Sequence, residues 1–252
     1  MSIRLTILGK SPSWQDRDGA CSGYQVEFGE QRRLLLDCGN GVFGKLRRHG
    51  EYERIDAVLL SHLHADHMLD LVPFAYALTY GPQGRSERPR LHAPPGAQAA
   101  LRRLCGAWGS ETLIENAFEL SEYDPAAELD LNGLRARFRL VPHYVPSYAV
   151  SLDDGRARLV FSADCGPNEA LVELATGAEL LLIEATLVAP DLEDHAHMTA
   201  AEAGEIARRA GVDRVVLTHF SDLLDADAVR AAGEQAFGGP VSLAVEGEAY
   251  EV

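Results

Sequence analysis

The sequence predicts an α/β protein in which layered sheets carry helices on their outer faces. Short apolar strand candidates recur along the chain, helical segments follow them in each half, and 252 residues are enough to bury a sizeable core. The predicted organisation is a single domain over residues 1–252, with two pseudo-equivalent halves of roughly 1–131 and 132–252.

Strands are predicted in the first half where short runs are apolar or alternate between apolar and polar residues. They are Ile3–Leu8, Tyr24–Phe28, Arg33–Asp37 and Ile55–Ser61. Helical composition predicts one helix over His67–Tyr80 and another over Ala97–Trp108. The segment between these helices, Gly81–Gly96, is rich in Pro, Gly and Arg and is predicted to be a loop.

The second half starts near Asn132-Gly133, a turn signal between two strand candidates. Its predicted strands are Glu128–Leu131, Leu134–Val141, Tyr148–Leu152, Leu159–Ser162, Leu180–Glu184, Val215–Thr218 and a closing strand pair, Val241–Val245 with Glu248–Val252. Its predicted helices are Asn168–Ala175, Thr199–Ala210 and Asp225–Phe237. Thr199 and Glu202 have the spacing of a capping box, so a helix should begin there.

The composition, 46% hydrophobic and 24% charged, excludes disordered, collagen-like and coiled-coil proteins. Acidic residues outnumber Lys and Arg by 38 to 23, and the formal charge is −15. Because each phosphate contact needs a local cation, this balance argues against a protein that holds long nucleic acid by bulk charge. A small anion can still bind at a local positive site.

The amino terminus has neither the apolar core nor the cleavage site of a signal peptide, and no apolar run is long enough to span a bilayer. The four cysteines are scattered and form no C-x-x-C pair. We therefore expect reduced thiols in a cytoplasmic protein without a membrane partner.

The segment Ser61-His62-Leu63-His64-Ala65-Asp66-His67 concentrates four metal-ligating side chains within six residues. His62 and His64 would lie about 200° apart on a helix, so they converge only if the backbone leaves the preceding strand as a loop. Three imidazoles and a carboxylate make a poor core, and a divalent cation explains their concentration. The alternative is a solvated, histidine-rich turn.

Three further ligand-type residues each follow an apolar strand: His143, Asp164 and His219. Each is a weak signal by itself, because a histidine at a strand end commonly hydrogen-bonds to the scaffold. With the cluster they supply five histidines and two aspartates, enough for two ions that share a bridging carboxylate. Such a pair of ions would provide a nucleophilic water near neutral pH and stabilise oxyanion charge, so the site predicts a hydrolase.

The H-x-H-x-D-H motif at His62–His67, followed in order by His143, Asp164 and His219, resembles the metallo-β-lactamase superfamily over nearly the whole chain. The resemblance implies a four-layer αββα sandwich with its site at one edge of the paired sheets. It also implies two metal positions bridged by Asp164, one with the ligands His62, His64 and His143, the other with Asp66, His67 and His219. By the same resemblance Asp37 orients a ligand, with an Asx turn before Gly39 as the alternative.

Glu184-Ala185-Thr186 and then His197 resemble the ribonuclease Z-like phosphodiesterase branch of this superfamily. The resemblance implies that His197 protonates the leaving alkoxide with Glu184 as its partner, and Asp66 completes the predicted catalytic residues. An alkoxide leaves poorly, and histidine is suited to acid catalysis near pH 7. Met198 departs from the serine that is usual in this branch. The alternative is a histidine that belongs only to the capping region.

Ribonuclease Z usually carries a long tRNA-gripping insertion between the counterparts of His143 and Asp164. Only 20 residues separate them here, enough for a hairpin but not for an arm. The chain is more similar to the small cyclic nucleotide phosphodiesterases of actinobacteria, as in Ser22-Gly23-Tyr24 and in Leu69-Asp70-Leu71 after the histidine motif. The resemblance therefore implies a small anionic phosphodiester substrate, with cAMP the first to test.

Three alternatives remain open: a ribonuclease Z-like RNA or DNA nuclease, a lactonase-type hydrolase and a non-catalytic metal-binding module. The five histidines favour two Zn²⁺ ions, although Mn²⁺ fits the same ligands. The resemblance also makes a homodimer an expectation.

Several other residues have weaker signals. Three arginines of the Pro/Gly loop are candidates for a phosphate contact, with a solvated loop as the favoured interpretation: Arg85, Arg88 and Arg90. Tyr144 and Phe220 each follow a proposed ligand and are candidates for stacking on a base, with ordinary packing favoured. The remaining histidines are expected on the surface or in the scaffold: His49, His92 and His195.

Overall fold

The computed structural model describes residues 3–49, 52–82, 87–191, 193 and 196–252, and the strands of this part form two seven-stranded sheets. The first sheet contains β1 (Arg4–Gly9), β2 (Gly23–Phe28), β3 (Arg32–Leu36), β4 (Ala57–Leu59), β5 (Arg90–Ala93), β6 (Glu119–Glu122) and β14 (Ala249–Glu251). Their order across the sheet is β14-β1-β2-β3-β4-β5-β6.

The second sheet contains β7 (Leu129–Asp130), β8 (Arg135–Val141), β9 (Ser147–Asp153), β10 (Arg158–Phe161), β11 (Leu180–Glu184), β12 (Val215–Thr218) and β13 (Ser242–Leu243), in sequential order. Each sheet has three antiparallel pairings followed by three parallel ones. The two sheets therefore share one pattern of strand pairing.

Helices lie on the outer face of each sheet. Those of the first half are α1 (Val42–His49), α2 (Ala65–Met68), α3 (Leu71–Tyr80), α4 (Ala97–Gly106) and α5 (Leu113–Ala117). Those of the second half are α6 (Glu169–Ala175), α7 (Ala200–Ala210) and α8 (Ala226–Phe237). None of the helices in the described ranges is both long and apolar enough to cross a membrane.

Alternate residues of the central strands face different layers, which explains why these strands are apolar throughout. Leu34 and Leu36 of β3 pack between the sheets against residues of the second sheet such as Phe161. Leu35 faces the opposite way and packs with the helices of the first half. The second sheet buries its other face against α6 and α7 in the same manner. The predicted four-layer αββα sandwich is confirmed.

Several element predictions are confirmed with small shifts of their ends. The capping box at Thr199 is present, because its side chain accepts the Glu202 N–H while the Glu202 carboxylate accepts the Thr199 N–H. Asn132 and Gly133 both have positive φ, 64° and 101°, as a tight turn between β7 and β8 requires.

Other element predictions are wrong. The helix predicted over His67–Tyr80 is two helices, because the His67 carbonyl accepts the Cys38 N–H and Pro73 lies in the first turn of α3. The predicted loop Gly81–Gly96 contains strand β5, and α1, α5 and β6 were not predicted. The two closing strands do not pair with each other, because β13 extends the second sheet beside β12 and β14 extends the first beside β1.

Candidate functional site

Seven side chains lie together at the edge where strands of both sheets end. They form two groups that share Asp164, and the ligand atoms within each group lie within 4.8 Å of one another. The first group is His62, His64, His143 and Asp164, and the second is Asp66, His67, Asp164 and His219. The structure thus places every sequence-predicted ligand in one cluster.

The backbone between β4 and α2 explains how histidines so close in sequence converge. The chain leaves the strand before Leu60 and stays non-helical through His64, which caps α2 with φ −70° and ψ 151°. Asp66 and His67 then lie, both buried, in the short helix α2. This loop-like exit from the strand matches the sequence-based expectation, and it sends successive side chains into different groups.

Asp164 occupies the centre of the cluster. Its Oδ2 atom lies 3.2 Å from Nε2 of His67 and 3.3 Å from Nε2 of His219. The same oxygen lies 3.8 Å from Nε2 of His62 and 3.9 Å from Nε2 of His143. Burial alone would raise the pKa of Asp164, but the surrounding imidazoles hold that pKa well below its usual value. The carboxylate therefore stays ionised and is shared by both groups.

A carboxylate orients the His67 ring and a backbone carbonyl orients the His143 ring, each through a hydrogen bond to Nδ1. His67 donates its Nδ1–H to Asp37 Oδ2 at 2.8 Å, and His143 donates its Nδ1–H to the Ala196 carbonyl at 2.8 Å. These bonds leave the Nε2 atom of each ring facing the cluster: Nε2 of His67 lies nearest Asp164, and Nε2 of His143 lies 3.0 Å from Nδ1 of His64.

Two hydroxyl groups orient the rings of His62 and His219. The Ser61 hydroxyl donates to Asp37 Oδ2 at 2.7 Å, which leaves its oxygen to accept the Nδ1–H of His62 at 3.0 Å. The Thr186 hydroxyl donates to Glu184 Oε2 at 2.6 Å and accepts the Nδ1–H of His219 at 2.8 Å. These two rings therefore also present an Nε2 lone pair to the cluster.

The cluster fits two divalent cations. Nε2 of His62 and Nε2 of His67 are buried and have no hydrogen-bond partner among the described residues, which is costly unless a cation binds there. Burial lowers the pKa of His67, but the carboxylates of Asp164 and Asp37 outweigh it and hold the pKa well above its usual value. The local field therefore favours positive charge, and the nitrogen and oxygen donors suit a dinuclear centre.

Asp37 makes the ligand-orienting contact that the resemblance implies. In addition to His67, its Oδ1 accepts the Ser61 N–H at 2.7 Å, and its own backbone has a positive φ of 58°. Three residues that hold the rings were not assigned a role from the sequence: Ser61, Thr186 and Ala196. Ser61 and Thr186 lie within the quoted motifs, whereas the carbonyl of Ala196 has no sequence signal.

Glu184 and His197 lie beside the cluster as a hydrogen-bonded pair. His197 Nδ1 lies 2.9 Å from Glu184 Oε1, and the His197 ring stacks on His219 with centroids 5.7 Å apart. Burial lowers the pKa of His197, but the hydrogen bond and charge of Glu184 outweigh it and raise the pKa above its usual value. Because Nδ1 is held by Glu184, Nε2 is the atom left to meet a substrate.

Backbone groups complete the binding of the Glu184 carboxylate. Cys165 N–H donates to Oε1 at 2.7 Å, and Met198 N–H donates to Oε2 at 3.3 Å. The Met198 side chain, at the position where the resembled branch has serine, is fully buried in the core of the second half. The four cysteines are free and buried, and the Cys165 thiol belongs to neither ligand group.

The residues with weaker sequence signals lie in different environments. Tyr144 is 60% exposed, and its ring lies 5.3 Å from the His143 ring and 6.1 Å from the His197 ring, so it borders the site. Phe220 is buried beneath the Lys10 ammonium, as ordinary packing predicts. His92 is buried in β5 rather than on the surface.

Other predicted residues lie away from the site or outside the described structure. Arg88 and Arg90 line a cavity beside the amino end of β5, and neither belongs to the ligand groups. His49 is the last residue of α1. Arg85 and His195 lie outside the described residues.

A family profile described as "Beta-lactamase superfamily domain" matches residues 32–220, a span that includes all seven ligand positions. The chain belongs to the beta-lactamase superfamily. Full-length relatives within this superfamily include "Uncharacterized protein ML1173" of Mycobacterium leprae, which is 33% identical over 255 residues and covers 100% of this chain and 89% of the relative.

Two further superfamily relatives have descriptive names. "Probable metallo-hydrolase YhfI" of Bacillus subtilis is 29% identical over 259 residues, covering 99% of this chain and 100% of the relative. "Ribonuclease Z" of Halorubrum lacusprofundi is 30% identical over 308 aligned positions, covering 100% of this chain and 98% of the relative. The crystal structure of YhfI superposes with a TM-score of 0.89 at 26% identity and covers all of both chains. The predicted enzyme class, a metal-dependent hydrolase, is confirmed.

Proposed function

We propose that this chain is a dinuclear metal-dependent phosphodiesterase that hydrolyses a small cyclic nucleotide such as cAMP. The observation that carries the proposal is the His197–Glu184 pair, which lies beside a cluster of five histidines and two aspartates. A thioester expels a thiolate, which is a better leaving group than an alkoxide and needs such an acid less.

The residues that would hold the two ions are the two four-residue groups described above, and Asp164 belongs to both groups. Asp66 occupies a ligand position in the second group, where its Oδ2 lies 3.3 Å from His219 Nε2. When bound, the ions supply an activated water and neutralise charge on the phosphoryl oxygens. Imidazole-rich donor sets favour Zn²⁺, and we assign zinc to both positions, with Mn²⁺ as the alternative.

His197 is placed to complete the reaction at the leaving oxygen. Water adds to phosphorus and releases one proton to solvent, and the bond from phosphorus to the ribose 3′ oxygen breaks. That oxygen takes a proton from His197 Nε2, which is then re-protonated from solvent. Glu184 keeps the ring oriented and stabilises its positive charge before the transfer, because its carboxylate accepts the Nδ1–H. The product is a nucleoside 5′-monophosphate.

The segment between His143 and Asp164 supports a small substrate. It contains the hairpin of β9 and β10 and no protruding arm. The alignment with ribonuclease Z of Halorubrum lacusprofundi has 308 positions against 252 residues here, so the relative has 56 positions without a counterpart in this chain. The net charge of −15 also disfavours a long polyanion.

Tyr144 supports a nucleotide over a simple phosphodiester. Its exposed ring stands beside His143 and His197, where a base attached to the reacting phosphate can stack on it. Base–aromatic stacking contributes about 1–3 kcal/mol.

A second candidate is a nuclease of the ribonuclease Z type, favoured by 30% identity to a protein of that name. The two candidates separate in one assay of bis-p-nitrophenyl phosphate, cAMP, cGMP, an RNA oligomer, pre-tRNA and a lactone, with metal content measured on the same preparation. Turnover of cyclic nucleotides supports the proposal, whereas cleavage of RNA or lactone alone contradicts it. Metal-loaded protein that is inert on every substrate indicates a non-catalytic metal-binding module. Light scattering on this preparation tests the homodimer.

A further inference from the structure

A second polar cavity lies at the opposite end of the sandwich from the metal centre. It has a volume of about 450 Å³, within the range of small-molecule sites. It is lined by residues at the amino ends of the parallel strands β3 to β6 and by the turn between β7 and β8. Along β3, Asp37 at the metal centre lies five positions after Arg32 at this cavity, which is about 16 Å.

His92 on the cavity wall has an unused nitrogen. The residue is 8% exposed, its Nδ1 lies 3.0 Å from the Ser121 hydroxyl, and its Nε2 is buried without a hydrogen-bond partner in the described part of the chain. A buried polar atom of this kind is rare unless a ligand or water satisfies it. The His92 ring therefore lies at the cavity wall with one nitrogen unsatisfied.

Arginines line the same cavity. Arg90 precedes His92 by two residues on β5, so both side chains lie on the same face of the strand. Within the described ranges, Arg90 and Arg32 form no ion pair, whereas Arg33 is paired with Glu27 at 3.2 Å. Two arginines without a carboxylate partner beside a neutral imidazole suit a phosphate, to which a guanidinium binds in bidentate fashion.

The cavity also contains three carboxylates, which narrow the class of ligand. They are Asp56, Glu87 and Glu119, and the Asp56 carboxylate already accepts the Arg33 N–H at 2.9 Å. Carboxylates repel a bare phosphate but accept hydrogen bonds from hydroxyl groups. A ligand that carries both a phosphate and several hydroxyl groups could contact the arginines and the carboxylates at once.

We infer that this cavity binds a small phosphate monoester that carries hydroxyl groups, with the phosphate at Arg90 and Arg32 beside the His92 ring and the hydroxyls at Asp56 and Glu119. The site is separate from the metal centre and does not depend on the function proposed for it.

The test uses the full-length, metal-loaded protein and the imidazole NMR signals of His92, which report on this cavity and not on the metal centre. Ribose 5-phosphate should shift these signals saturably, inorganic phosphate should bind at least about tenfold more weakly, and ribose should have no effect. Arg90→Gln removes a charge-assisted bond and should raise the Kd for ribose 5-phosphate by about tenfold or more. His197→Ala should leave that Kd unchanged.

Arg230→Gln is the matched control, because Arg230 is also an exposed arginine and lies on α8, away from the cavity. The Kd of this variant should equal that of the unmodified protein. Arg90 is exposed as well, so its replacement should not impair folding. Three results would overturn the inference: His92 signals that do not move at saturating ribose 5-phosphate, an Arg90→Gln variant with the original Kd, or equal affinity for inorganic phosphate.

Discussion

Replacement of His197 by alanine should impair turnover to an extent that depends on the leaving group. Glu184 holds Nδ1 of this ring at 2.9 Å and raises its pKa, so a proton is available on Nε2 near neutral pH. The ribose alkoxide that leaves cAMP needs that proton, whereas the p-nitrophenolate that leaves bis-p-nitrophenyl phosphate is a stable anion.

The magnitude follows from the proton that is lost. A positioned general acid contributes about 10²–10⁴-fold, or about 2.7–5.4 kcal/mol at 1.36 kcal/mol per tenfold. We expect kcat for cAMP to fall by at least about 100-fold in His197→Ala. We expect kcat for bis-p-nitrophenyl phosphate to fall by less than about tenfold, because that leaving group draws little benefit from an acid.

Metal content distinguishes a lost acid from a damaged centre. His197 belongs to neither of the two four-ligand groups, so His197→Ala should keep the metal content of the unmodified protein. His143→Ala is the matched control within the first group, and it should lose metal and both activities together. Equal losses on both substrates in a fully metal-loaded His197→Ala variant would refute the assignment of this ring as the acid.

Glu184→Gln gives an independent test of the same pair through the pH profile. The acid must be protonated, so activity on cAMP falls as pH rises through the pKa of His197. Glu184 raises that pKa, and its neutral replacement should therefore move the alkaline limb of the kcat profile to lower pH. An alkaline limb that does not move would show that Glu184 has no electrostatic effect on the acid.

Other parts of the structure lead to three further predictions. In steady-state kinetics, Tyr144→Ala should raise KM for cAMP by about tenfold or more and leave KM for bis-p-nitrophenyl phosphate unchanged. Tyr144→Phe keeps the aromatic ring, so its KM for cAMP should equal that of the unmodified protein. Asp37→Asn should weaken metal affinity by about 10–100-fold in a competition titration with a chelator, because it loosens His67. Burial lowers the pKa of His92 to about 4 in the folded protein, so its contribution to stability is complete above about pH 6.5 and is lost as pH falls toward 4, at up to about 1.4 kcal/mol per unit. The free energy of unfolding, measured with urea between these pH values, should change less with pH in His92→Gln than in the unmodified protein. An equal change with pH in the two proteins would contradict this prediction.

The candidate ligands could be identified from the sequence because their chemistry is concentrated in a short motif and at strand ends. The strand that precedes His62 is apolar enough to identify, and imidazoles with a carboxylate at this spacing have few uses other than metal binding. The groups that orient the rings were harder to predict. Ala196 contributes only a carbonyl, and its position beside His143 depends on the tertiary path of the chain, which no local pattern encodes.

The elements that were missed have local patterns that favour other structures. Strand β5 has two polar residues, Arg90 and His92, on the face that lines the polar cavity opposite the metal centre. It also lies in a segment rich in Pro and Gly. Its pairing with β4 on one side and β6 on the other holds it in the sheet despite that composition. The two closing strands, β13 and β14, were predicted to pair with each other because they are adjacent in sequence. In the structure each extends a different sheet.

The ring orientations and the spacing of the two ligand groups have different structural origins. His62 and His67 are held by Ser61 and Asp37, which follow strands of the first sheet. His143 and His219 are held by groups that follow strands of the second sheet. Each half of the molecule therefore orients its own histidines.

What brings the two halves to the correct separation is the layer between the sheets. Tyr24 of β2 packs on Phe161, three residues before Asp164, and its hydroxyl bonds to the Thr218 hydroxyl at 2.9 Å, one residue before His219. These contacts are buried and need no metal. Because the two ligand groups are pre-oriented by their own sheets and spaced by this core, we expect inter-sheet packing to set the distance between the two metal positions. Asp164 of the second half contacts both His67 and His219 and so spans that distance.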